Sequence, residues 1–134
     1  MSNIISTPTT LQSEGALPVL CNDAGMAGLI VQAIQEAAIA CDAHGLTSEE
    51  MRELSENRFA ELAQMSVDEY FASTMSQALR DQSALAVLRG ESFSIDKAAD
   101  LAVERISEVM GEPADPAAAH QRAKDYFQDC HSAA

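Results

Sequence analysis

Tryptophan is absent from the chain, tyrosine occurs twice and phenylalanine four times, so few large aromatic anchors are available to a core or an interface. Basic residues are scarce as well: 8 lysines and arginines face 21 aspartates and glutamates, a formal net charge of -13. Protein affinity for nucleic acid comes from basic side chains displacing counterions, so this deficit argues against direct contact with phosphate backbones. It argues equally against docking on anionic lipid headgroups. The three cysteines, Cys21, Cys41 and Cys130, are odd in number and irregular in spacing, which does not make a disulfide framework and favours a reducing compartment. Residues 1–20 lack the basic start and continuous apolar stretch of a secretory leader, and a cytoplasmic location is the expectation. The most apolar run, residues 24–41, carries Gln32, Gln35 and Glu36 and is expected to stay out of membranes. Strand-like alternation of useful length is missing, as is any internal repeat.

What the chain does possess is helical punctuation. Residues 1–20, with Thr7-Pro8-Thr9-Thr10 and Gly15-Ala16-Leu17-Pro18, show no sustained periodicity and are expected to form a flexible N-terminal arm. Residues 21–134 then read as a single helical domain, an all-α compact bundle of about five helices. The expected spans are 23–44, 48–64, 67–89, 95–110 and 116–130. Asn22 or Asp23 caps the first, Thr47 with Glu50 and Ser66 with Glu69 form capping boxes for the second and third, Ser94 opens the fourth, and Asp115-Pro116 opens the fifth. Gly45, Gly90 and Gly111 stand where the first, third and fourth should stop.

The first helix is the most apolar. Met26, Leu29, Ile30, Val31, Ile34, Ala37, Ile39 and Cys41 point in nearly every direction around it, which predicts a central helix buried on all sides, Ile34 included. Its Ala and Gly residues predict close backbone approach by neighbours. Stripes of Met51, Leu54, Phe59, Leu62 and Met65, and of Ile95, Ala99, Ala102, Ile106 and Val109, are the expected inward faces of the second and fourth helices. In the third helix that role falls to Val67, Tyr70, Phe71, Met75, Leu79, Leu85 and Leu88.

No catalytic constellation is legible. Gly25 and Gly28 lack the Lys-Ser/Thr ending of a phosphate loop, and no Gly-x-Ser-x-Gly turn occurs. Cys41 with His44, and Cys130 with His131, could supply a thiolate and a base or two zinc ligands each. Neither pair has a third group, and the adjacent second pair is not a metal knuckle. No enzyme activity, cofactor or metal is therefore expected.

The acids are unevenly spread, with residues 42–69 and 81–115 holding most of the excess. Glu49, Glu53 and Glu56 fall on one face of the second helix, and Asp100, Glu104 and Glu108 on one face of the fourth, successive acids being about one 5.4 Å turn apart. Arg52, Arg58, Lys97 and Arg105 interrupt these zones. The i,i+3 pairs Glu49 with Arg52 and Arg105 with Glu108 are what an ordinary solvated helix would show. The function these features suggest is a small protein-binding protein, a stoichiometric inhibitor or adaptor that offers those six acids to a basic surface of another protein. A second copy of the chain is also an admissible partner. Two alternatives remain at this stage: a DNA mimic, whose carboxylate row imitates phosphates, and a small helical enzyme or metal-binding protein.

Overall fold

Each expected helix forms, and each starts where a side chain can accept a bond from the otherwise unpaired N–H groups of its first turn. The computed structural model describes the backbone of residues 22–133 and the side chains of residues 22–129. The expected arm, together with Cys21, lies outside the described residues. The helices are α1 (Asp23–His44), α2 (Ser48–Gln64), α3 (Val67–Arg89), α4 (Ile95–Met110) and α5 (Pro116–Ala133). Asn22 Oδ1 accepts from Gly25 N at 2.7 Å. The Thr47/Glu50 and Ser66/Glu69 boxes are both closed in both directions. Ser94 and Asp115 accept from Lys97 N and Ala118 N at 3.2 and 3.1 Å. Gly45 and Gly90 take the left-handed conformation that ends α1 and α3, both at φ 67°.

The helices form an all-α bundle. α1 packs against α2, α3 and α4, while α4 packs against α1, α3 and α5. One core cluster joins Leu29, Leu62, Tyr70 and Val109 from the first four helices. The other is built mostly from alanine, Ala78, Ala98, Ala99, Ala102 and Ala123, with Phe127 filling the space between α3, α4 and α5. Small side chains at these positions draw the axes together. The closest approach is at Gly28, where a Cβ would lie 2.7 Å from the carbonyl carbon of Glu108 and 2.9 Å from the Cα of Val109. Backbone meets backbone where α1 crosses α4.

The expectation that α1 is buried on every side is corrected. Its inward face is Gly25, Gly28, Leu29, Gln32, Ala33, Glu36, Ala37 and Cys41, and the opposite face leaves Ile30, Val31 and Ile34 between 38% and 47% exposed. Composition misled because polar Gln32 and Glu36 replace apolar residues on the inner face, while β-branched residues occupy the outer one. By length and composition alone α1 could cross a membrane. In this fold Gln32 and Glu36 are tied into the bundle by side-chain bonds described below. The stripes of α2 and α3 are likewise only partly inward. Leu62 is the fully buried member on α2, and Leu54 and Leu88 are exposed. α3 buries Tyr70, Thr74, Ala78, Asp81, Gln82 and Ala86.

Candidate functional site

The polar groups of the structure divide into a set sealed inside the bundle and two carboxylate rows on its surface. Inside, Arg105 of α4 is completely buried, with Nη2 2.7 Å from Asp81 Oδ2 of α3 and Nη1 3.6 Å from Glu36 Oε2 of α1. Arg58 of α2 reaches the other oxygen of Glu36, Nε to Oε1, at 2.5 Å. Gln32 Nε2 donates to Glu36 Oε2 at 2.8 Å and to Thr74 Oγ1 at 3.1 Å. Tyr70 donates its hydroxyl to Gln32 Oε1 at 2.7 Å, and Gln77 donates to Asp81 Oδ1 at 2.9 Å. Burial pushes the Tyr70 phenol well above its ordinary range. Two acids and two arginines thus neutralise each other across four helices. The Arg105–Asp81 contact is an ion pair by distance without hydrogen-bond alignment, and Arg105 Nε and Nη1 find no hydrogen-bond acceptor among the described residues.

This network is absent from the sequence-based reading, which placed Arg105 on the surface beside Glu108. That expectation is corrected: Arg105 turns inward to Asp81, and no ion pair joins it to Glu108. The signal was nevertheless present. Ala98, Ala102, Arg105 and Val109 follow one another at intervals of four, three and four, and all are buried, so Arg105 stands on the inner face by position. Gln32 and Glu36 stand in the same way on the face defined by Leu29, Ala33 and Ala37.

Outside, the six acids singled out from the sequence are all exposed. They do not form one face, because α2 and α4 each pack on α1 and not broadly on each other. The α2 row is partly offset: Arg52 pairs with Glu49, and its Nη1 lies 2.9 Å from Glu56 Oε2. Of that trio, Glu53 has no ion pair among the described residues.

The α4 row differs. Asp100 lies 3.0 Å from His120 Nε2 of α5, and Asp96, one turn earlier, lies 2.9 Å from Lys124 Nζ. Beyond that point Glu104, Glu108 and Glu112 have no ion-pair partner among the described residues. With Asp100, Val103 and Ser107 they line one shallow groove that contains no basic side chain. Partial burial, and then the neighbouring Glu104, push the Glu108 carboxyl above its ordinary range, against a smaller opposing effect of Arg105. The sequence identified three of these acids and omitted Glu112, which lies past the end of α4 and outside the helical periodicity that was followed.

Next to this groove is an apolar cleft of about 340 Å³ between α3, α4 and α5. Phe71, Met75, Val103, Ile106 and Tyr126 supply its apolar lining, and Arg122 also lines it. Val103 and Ser107 line both the cleft and the acidic groove.

Of the two cysteine-histidine pairs considered for thiolate or metal chemistry, Cys41 and His44 have described side chains. Cys41 is buried, and burial followed by the charges of Glu50 and Asp42 raises its thiol pKa, while His44 is exposed. Among the described residues no group of three or more His, Cys, Asp or Glu side chains could hold a metal ion. The side chains of Cys130 and His131 lie outside the described residues. Compared with protein-family models, curated proteins and solved structures, the chain matches none at a significant level.

Proposed function

We propose that the chain is a small acidic protein-binding protein, a stoichiometric inhibitor or adaptor, and that it engages a basic surface of its partner through the α4 row. What supports this is the unneutralised run of Glu104, Glu108 and Glu112 beside Asp100. Like charges held together on a scaffold cost free energy, and a cationic partner relieves that cost while the field they create speeds encounter. The α2 row is the weaker contributor, because Arg52 pairs with two of its three acids and so offsets part of their charge.

The test is capture of the native partner from an extract, followed by association kinetics over a salt series. Association slows as salt rises, and Glu104→Lys with Glu108→Lys and Glu112→Lys slows it much more than reversal of Glu49, Glu53 and Glu56. Equal rates for both triple variants and the parent chain would sink the proposal. Release of the partner by competing duplex DNA would replace the adaptor reading with phosphate mimicry. A ternary complex with DNA supports the adaptor.

A further inference from the structure

We infer that the apolar cleft between α3, α4 and α5 is the anchor pocket for an amphipathic, basic helix of the partner. This rests on the acidic-row proposal and adds to it a seat for apolar side chains. Val103 and Ser107 line both, so an occupant whose apolar residues enter the cleft lies beside the groove of Glu104, Glu108 and Glu112. Lysine or arginine on the flank beside that groove meets carboxylates that have no ion-pair partner among the described residues. Arg122 also lines the cleft, so the part of the occupant that meets it is neutral or acidic, since a like charge would be repelled.

Length separates a helix from a small amphiphile. The cleft is at the low end of the size range of small-ligand pockets, but Asp100 to Glu108 spans about 12 Å along α4, and Glu112 extends the row further. A compact cation could neutralise one or two of these acids. A helix with apolar residues at i, i+3 or i+4 and basic residues alongside can fill the cleft and follow the row together.

The experiment uses the full chain and three labelled 18-residue helical peptides: one of leucine and lysine, one in which serine replaces leucine, and one in which glutamate replaces lysine. Fluorescence anisotropy reads binding. The leucine-lysine peptide binds, and replacing its leucines weakens it by more than about tenfold, the loss expected for removing even one buried aliphatic side chain. Ala119→Trp, which fills the cleft, produces the same loss while the salt dependence of what remains is unchanged. Val103→Asn serves as a second cleft variant if the first alters the circular dichroism spectrum. Equal binding of the leucine and serine peptides, unaffected by either variant, would overturn the anchor pocket and leave the acidic-row proposal standing. Tight binding of the glutamate peptide would overturn the charged flank, and failure of both lysine peptides would overturn both proposals. Dodecylamine binding below its micelle concentration as tightly as the leucine-lysine peptide would reassign the cleft to a small amphiphile.

Discussion

Replacing Gly28 with alanine sets two effects of opposite sign against each other at one atom. Alanine is a better helix former than glycine by about 1 kcal/mol, so an open site in the first turns of α1 would gain stability. The new methyl, however, would lie 2.7 Å from the Glu108 carbonyl carbon and 2.9 Å from the Val109 Cα. Both are backbone atoms, with no rotamer to move aside, so α1 and α4 must separate. Overpacking costs typically about 1–3 kcal/mol, and a backbone obstacle places this site at the upper end. The net expectation is destabilisation by about 1–2 kcal/mol, a fall in melting midpoint of roughly 4–8 °C for a domain of this size. Thermal melts followed at 222 nm by circular dichroism measure it, with Ala24→Gly as a control for propensity alone at an exposed α1 position. A Gly28→Ala variant as stable as the parent, or more stable, would show that the helices do not cross backbone to backbone. Because the obstructing atoms belong to Glu108 and Val109, the same variant should also displace the acidic row and slow partner association.

Arg105→Met leaves Asp81 buried without its cation and weakens the charge balance around Glu36, so chemical denaturation should show a loss of about 3–5 kcal/mol, whereas Arg105→Met with Asp81→Leu should recover part of it. Ile34→Asp should stay soluble and helical because Ile34 is 45% exposed, while Leu29→Asp, at a position with no exposure, should fail to fold; similar circular dichroism spectra for the two would contradict the assignment of faces. Lys124 holds the Asp96 carboxyl below its ordinary value of 3.8, so that pair contributes stability above the unfolded value and loses it as pH falls through the folded one; melts of Asp96→Asn should show a smaller acid-side decline. Glu108 is shifted the other way, above 4.5, so its stabilising contribution is greatest at low pH and is lost as pH rises through the folded value. Glu108→Gln should therefore raise the melting midpoint near neutrality relative to the parent and leave it little changed in acid.

Helix limits were legible because their signals are local. A cap or a left-handed glycine acts within one turn, and the expected starts and stops of α1 to α4 coincide with the observed ones. The inner faces were less legible. Periodicity counted Ile30, Val31 and Ile34 as core because it weighed side-chain type, whereas tertiary packing selected the face that carries Gly28, Gln32 and Glu36. An arginine or glutamate enters a core only if a partner of opposite charge arrives from another helix, and no single helix reveals that partner. The exposed acids of the candidate site were visible individually. Their unequal pairing depended on where Arg52, Arg105 and His120 point, and the cleft beside them is formed by three helices separated in sequence.

An interface made of alanine has little to distinguish one alignment from another, since a helix displaced by a turn would set new small residues against old ones. The buried charges remove that freedom. A shift of α4 by one turn would displace Arg105 by about 5.4 Å along the helix axis relative to Asp81 and Glu36, and the low-polarity interior would then hold separated ions with nothing to solvate them. Arg58 fixes α2 against α1 in the same manner, and the Tyr70–Gln32–Thr74 chain fixes α3. The network therefore works as an alignment key: it leaves the bundle one way to close, and so one arrangement of the acids and the cleft on its surface.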